Sequence, residues 1–257
     1  MAAVEHVASA DGTRIGYRTW GRGDPLLFVH GSAATGADWL LVLPLLRERF
    51  TVVSMDRRGR GTSDDGPDYA MEREAEDILA VLDASGAQLL VGHSYGGLCS
   101  ILAAERTDRL RRLVIYEPPI AISEQGLPAL DRLIASGDHN AALETFLRFA
   151  GAAQEQLDAI RSSPAWPSLV ATVPVLSREL HAGAAWRSPS GPIDVPTLWL
   201  QGTDTKSPAY LEGLEDLQGA FPDLRQELIP HQTHFGHVFA PEIFASLVVS
   251  FCADGDS

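Results

Sequence analysis

Short apolar runs alternate along the chain with longer stretches in which apolar residues recur every three or four positions. Residues 26–29, 51–55, 87–91, 113–116 and 197–200 are of the first kind and predict strands, the wholly apolar ones buried on both faces. Residues 15–20, between Asp11-Gly12 and Gly21-Arg22-Gly23, predict an early antiparallel strand closed by a glycine-rich turn, and 225–229 a late strand. Residues 39–50, with Trp39, Leu43 and Leu46 on one side, predict a helix, as do 71–84, with Ile78, Val81 and Leu82. Helices are also predicted over 97–105, 210–221 and 241–252. Between Ile122 and about Pro192 the rhythm changes to helical patterns and proline-broken loops without a strand.

Strands alternating with helices predict an α/β fold: a mostly parallel, doubly wound sheet with helices on both faces. The helical block interrupts that alternation and is expected to form a cap over residues 122–192, inserted into a core made of 1–121 and 193–257. In such sheets ligands gather at the carboxyl ends of the strands. The polar residues that end the strands here are His30, Asp56, Ser94, Glu117 and Asp204.

Ser94 stands out among them. It lies in Gly92-His93-Ser94-Tyr95-Gly96, between a predicted strand and a predicted helix. A serine flanked by small residues at a sharp strand-to-helix turn is pushed out above the sheet with its hydroxyl exposed, and glycines on either side let the two segments pass without a Cβ clash.

With this motif the chain resembles the α/β-hydrolases. The resemblance runs from the first strands to the last helix. It rests on His30-Gly31-Ser32 after an apolar strand, the run from Asp56 to Asp64 after the next, the serine turn with a following glycine, a late Gly202-Thr203-Asp204, and a final histidine before Ala240-Pro241-Glu242. It implies a catalytic triad in the order nucleophile, acid, histidine. Ser94 is then the nucleophile. A serine hydroxyl needs a base at neutral pH, and of His30, His93, His231, His234 and His237 the family's ending selects His234. His231 and His237 are expected to be exposed loop residues, and His93 to point away from the Ser94 hydroxyl.

Two residues compete for the acid. Many relatives carry it after the penultimate strand, where Asp204 lies two residues beyond Gly202; the commoner spacing falls on Thr205. Other relatives place it after the strand that follows the serine helix, where Glu117 stands. Either position can fix the imidazole, and Glu117 is preferred. The oxyanion hole is expected from the backbone N–H groups of Ser32 and Tyr95. In the cap, Trp166 and Trp186 are candidate pocket residues, Trp166 as part of a loop, beside Phe146, Leu147 and Phe149.

Composition narrows the chemistry. A net charge of -14 without a basic stripe argues against nucleic acid and anionic membranes as partners. Cys99 and Cys252 show no metal-binding spacing and read as buried thiols; no metal or cofactor motif is present, and none is expected. Without a leader-like N-terminus or a long apolar stretch, a cytoplasmic protein is expected. A serine nucleophile disfavours epoxide and haloalkane chemistry, which relatives perform with aspartate. The expected activity is hydrolysis of a small-molecule carboxylic ester or lactone through an acyl-enzyme on Ser94. The alternatives are a carbon–carbon bond hydrolase or perhydrolase using the same triad, or a non-catalytic ligand-binding receptor.

Overall fold

The structure, a computed structural model, describes residues 2–66, 68–211 and 213–253. The expected core's ends, Met1 and 254–257, lie outside them. The chain enters through two antiparallel strands, β1 (Val4–Ala8) and β2 (Arg14–Gly21), and continues into β3 (Asp24–Val29). A one-turn helix, α1 (Leu43–Leu46), precedes β4 (Phe50–Met55). Helix α2 (Met71–Ser85) leads to β5 (Leu89–His93), α3 (Tyr95–Ala104) and β6 (Arg112–Tyr116). The segment before the next strand is helical: α4 (Leu127–Ala135), α5 (His139–Phe149), α6 (Gln154–Ser162), α7 (Trp166–Val170) and α8 (Leu176–Ala185). The sheet resumes with β7 (Thr197–Gly202), followed by α9 (Pro208–Leu211), α10 (Gly213–Ala220), β8 (Leu224–Ile229), α11 (Gly236–Phe239) and α12 (Pro241–Ala253).

Among the described residues, eight strands form one sheet in the order β1-β2-β4-β3-β5-β6-β7-β8. From β3 onward the pairings are parallel. Because β3 lies between β4 and β5, the chain leaves β3 in one direction and returns on its other side. That reversal opens a crevice at the carboxyl ends of β3 and β5, where such sheets bind ligands.

The apolar runs are two-sided, as strand periodicity requires. Leu27, Val29 and Leu90 pack with Ala75, Ile78 and Leu98 of α2 and α3 on one face. Leu26, Phe28, Leu89 and Val91 pack with Leu46 of α1 and Phe244 and Val248 of α12 on the other. Shortening one of these fully buried side chains, as in Leu90→Ala, removes about 2–5 kcal/mol. The inserted helices have their own apolar cluster, which includes Leu143, Phe146, Leu176 and Leu180 and meets the sheet's loops at Ala33 and Phe235.

Three local expectations change. Residues 39–50 are not one helix: a 3-10 turn ends at Trp39, α1 spans one turn, and Phe50 already belongs to β4. Pro44, in the first turn of α1, has no N–H for a helix arriving from upstream. Residues 210–221 divide between α9 and α10, with Glu212 outside the described residues. Strand β1, which no apolar run announced, is an exposed edge strand, so its side chains carry little burial pattern.

Candidate active site

Ser94 sits where β5 turns into α3, with φ 54° and ψ -127°, a conformation that costs an L-residue energy and must be held by its surroundings. Its N–H donates to the Tyr116 carbonyl at 2.9 Å, pinning the turn to β6. The flanking glycines are required by space. A Cβ on Gly92 would meet the Ser100 hydroxyl at 2.5 Å, and one on Gly96 would meet the His30 carbonyl at 2.4 Å. Among the described residues, the other non-glycine residues with positive φ are Ala33, Glu117 and His231. All lie in the strand-end loops that carry the candidate residues, so backbone strain gathers at this end of the sheet.

Glu117 extends from β6 with φ 44°. Its Oε2 accepts from His234 Nδ1 at 2.9 Å, and both side chains are buried. This fixes the His234 tautomer, with the proton on Nδ1 and the Nε2 lone pair on the opposite edge of the ring. Glu117 Oε1 accepts from the Gly202 N–H at 2.8 Å and from the Thr205 hydroxyl. The loop after β7, the other candidate place for the acid, thus supports Glu117 instead. Asp204 is exposed, and its carboxylate accepts from the neighbouring Thr203 hydroxyl at 3.2 Å, with no hydrogen bond to His234 among the described residues. The two candidate acids are therefore not equivalent: the structure brings Glu117 to the imidazole and leaves Asp204 on the rim.

The histidine loop is braced from below. The Tyr116 hydroxyl donates to the Thr233 carbonyl and accepts from the Gly236 N–H at 2.8 Å. His93 Nε2–H donates to the His234 carbonyl at 2.9 Å. Burial, with the neighbouring His237 and His234, pushes the His93 imidazole well below its ordinary range and keeps it neutral. His237 departs from expectation: it is buried, and its Nε2–H donates to Asp38 at 2.9 Å. His231 is exposed, as expected of a loop histidine.

Opposite the histidine, His30-Gly31-Ser32 leaves β3. His30 Nε2 accepts the Arg57 N–H at 3.1 Å, so its proton lies on Nδ1, which donates to the Gly31 carbonyl at 2.8 Å. Burial first, and then the charges of Arg57 and Arg60, hold this imidazole well below its ordinary range. Neither the Ser32 nor the Tyr95 backbone N–H has a hydrogen-bond partner among the described residues, and both residues line the same cavity as Ser94. The Ser32 hydroxyl is buried without a hydrogen-bond partner and lines the same space.

That space is a cavity of about 150 Å³ whose wall includes Ser94, Ser32, Phe146, Phe149, Leu180 and Tyr210. No acidic or basic side chain lines it among the described residues. Trp166 and Trp186 are absent from the wall, which corrects their expected place. Trp166 opens α7 and donates its indole N–H to Asn140 at 2.8 Å. Trp186, just past α8, turns into the cluster beneath the sheet's helices. Prolines around Trp166 start a helix here rather than prolong a loop.

A family model described as the alpha/beta hydrolase family matches residues 26–247. The chain belongs to the alpha/beta hydrolase family. A crystal structure of an alpha/beta hydrolase from Sphaerobacter thermophilus is 32% identical and superposes with a TM-score of 0.82, covering 96% of this chain and 100% of that one. The 2-(acetamidomethylene)succinate hydrolase of Mesorhizobium japonicum is 28% identical over 91% of this chain and 90% of its own length. The bifunctional esterase/perhydrolase DCH of Acinetobacter calcoaceticus is 36% identical, over 48% of each chain, so this hydrolase spans about half the length of that relative.

The sequence reading missed Tyr210 in this hydrolase. Its ring stacks on His234 with centroids 4.3 Å apart and an interplanar angle of 14°. Its hydroxyl donates to the Ala150 carbonyl at 3.4 Å, its side chain lines the cavity with Ser94, and burial raises its pKa, so it remains a neutral donor. The available signal was Ser207-Pro208 directly after the β7 loop, a helix start that puts its first turn at the rim of the site. The hydrolase also has one group of described residues close enough to hold a metal ion: Asp38, His93 and His237, with donor atoms within 4.8 Å of one another. The His237–Asp38 and His93–His234 hydrogen bonds already engage one nitrogen of each histidine, and the group serves as a polar brace behind His234.

Proposed function

We propose that this hydrolase cleaves a small, uncharged carboxylic ester or lactone by acyl transfer through Ser94. The Ser94 hydroxyl adds to the carbonyl carbon while its proton passes to His234 Nε2. Glu117 holds the ring through Nδ1 and stabilises the imidazolium. The Ser32 and Tyr95 N–H groups stabilise the oxyanion of the tetrahedral intermediate. Collapse breaks the bond to the alkoxide, which takes the proton from His234. Water then attacks the acyl-enzyme, gives its proton to His234, and releases the acid as the proton returns to Ser94 Oγ. The observation that carries this reading is the buried Glu117–His234 pair at 2.9 Å, with Tyr210 stacked on the imidazole and lining the cavity together with Ser94.

The cavity supports the substrate class. At about 150 Å³ it suits a group of roughly benzene size. The Mesorhizobium relative is named for a succinate. A succinate carries two carboxylates and needs cationic partners in a buried site. Here the wall offers hydroxyls and apolar carbons, and the net charge of -14 repels anions further. Lys206, exposed beside Ser207, is not part of the wall. The half-length likeness to an esterase/perhydrolase supports a second reading, in which hydrogen peroxide replaces water and the acyl-enzyme is released as a peracid.

The test is intact-protein mass spectrometry after exposure to a fluorophosphonate, beside Ser94→Ala, with turnover of p-nitrophenyl acetate and butyrate against the p-nitrophenyl monoester of succinic acid. A single adduct lost in the variant, with turnover of the neutral esters, supports the proposal. Preference for the anionic ester would overturn the substrate class, and an unlabelled, folded protein would restore the receptor reading. Peracid formation from acetate and peroxide tests the second reading.

A further inference from the structure

Arg57 follows β4, and its guanidinium is fully buried without lining the cavity. Each of its nitrogens has a partner. Nε and Nη2 donate to the two oxygens of Glu74 at 3.1 and 2.6 Å, and Nη2 also donates to Glu179 of α8 at 2.9 Å. Nη1 donates to the Gly31 carbonyl at 3.1 Å, the acceptor that His30 also uses. The guanidinium carbon lies 4.7 Å from the centroid of the Tyr95 ring.

The Gly31 carbonyl and the Ser32 N–H are two ends of one planar peptide unit. A cation hydrogen-bonded to the oxygen fixes the direction of that plane and polarises it, so the N–H at the other end becomes a stronger and better aimed donor. The same guanidinium packs against the side chain of Tyr95, the residue that supplies the second donor. Arg57 therefore touches both residues of the proposed oxyanion hole from behind. Glu179 restrains Arg57 from the insertion side: it is buried between Arg57 and Arg60, and its Oε1 accepts from both. Without its charge, Arg57 would keep Glu74 alone, and Arg60 would lose its carboxylate partner among the described residues.

We propose that Arg57 is a positioning residue for acyl transfer, orienting and polarising the Gly31–Ser32 peptide, and that Glu179 makes this orientation depend on the inserted helices being seated on the sheet. The proposal rests on the reading of Ser94 as the nucleophile.

Three variants test it. Arg57→Lys keeps the charge between Glu74 and Glu179 but has no fork to reach Gly31 as well. Glu179→Gln keeps the shape and an acceptor oxygen. Arg178→Gln is the control: it breaks the exposed pair between Arg178 and Asp65, at 2.7 and 2.9 Å, which ties the same helix to the same loop without touching Gly31. The readouts are kcat and KM on a p-nitrophenyl ester, thermal melting, and affinity for phenylboronic acid, whose tetrahedral adduct on Ser94 places an anionic oxygen in the hole. For Arg57→Lys, kcat should fall roughly 10- to 100-fold, and for Glu179→Gln about tenfold, with KM changed less than about threefold and boronate affinity falling in step. Arg178→Gln should stay within about twofold of the parent.

A folded Arg57→Lys or Glu179→Gln enzyme with full kcat and boronate affinity would overturn the proposal. So would the same loss in Arg178→Gln, because anchoring of the insertion would then explain everything. If Arg57→Lys does not fold, Glu179→Gln decides alone. Fluorophosphonate labelling separates the two levels: a labelled parent with unaffected variants refutes only the positioning role, and an unlabelled parent refutes both.

Discussion

Glu117 and Glu179 are both fully buried glutamates, and they are held in opposite ways. Glu117 stands at a strand end, its oxygens taken by an amide N–H, a threonine hydroxyl and an imidazole N–H. In the proposed mechanism the imidazole becomes a cation only during turnover. Glu179 lies on an inserted helix between two guanidiniums that are always charged, and its Oε2 has no partner. A buried acid facing permanent cations exerts its attraction in the resting protein and holds two layers together. One facing neutral donors reserves part of its attraction for the state in which charge develops. Burial and residue type are the same in both; the neighbours decide which one serves chemistry and which one serves assembly.

The strongest way to break this comparison is to remove the Glu117 charge. Glu117→Gln should lower kcat by about 10⁴-fold with melting close to the parent, whereas Asp204→Asn should stay within about twofold. Steady-state kinetics beside thermal melting decides, and a larger loss from Asp204→Asn would reverse the assignment. Next in size is Glu179→Ala, which leaves buried guanidiniums short of a counter-charge and should cost about 3–5 kcal/mol of stability by urea denaturation. A cost below about 1 kcal/mol would mean that the network does not hold the layers.

The buried imidazoles sharpen the contrast through pH. His30 and His93 are held below their ordinary value of 6.5 when folded, so the unfolded chain binds more protons below that pH. Stability is therefore fully present above about pH 6.5 and falls as the pH drops below it, by roughly 2.7 kcal/mol per unit for the two together until they protonate. Urea denaturation between pH 7 and 5 measures the slope, and His93→Gln should reduce it by about half. A smaller loss than that of Glu117→Gln is expected from Thr205→Val, which removes one donor to Glu117. About 1 kcal/mol lost at the pair corresponds to roughly five- to tenfold in kcat. No change would mean that the Gly202 N–H alone sets the carboxylate.

Much of this was legible in the chain. The two-sided apolar runs predicted the inner strands, and Gly92 to Gly96 predicted the strained turn, because both patterns are local. The acid was legible only as a preference for Glu117, because Glu117 and Asp204 follow adjacent strands and each lies within plausible reach. Only the positions of the β6 and β7 ends relative to His234 separate them. Trp166 and Trp186 misled for a related reason: aromatic residues bury themselves wherever a helical layer has room, and sequence carries no direction toward the cavity. Tyr210 went unseen because its place follows from where α9 begins, a tertiary fact. Arg57 was hidden in a charged loop whose hydrogen bonds run to three separate elements.

Thr205 carries a consequence of its own. It occupies the position where the commoner spacing would put the acid, and its hydroxyl already points at the acid that stands one strand away. Two carboxylates this close would repel, but a hydroxyl beside a carboxylate is stable. The site thus has two seats for one charge, one of them kept by a neutral occupant. In a lineage built this way, the acid can change strands in steps that leave the nucleophile and the histidine untouched.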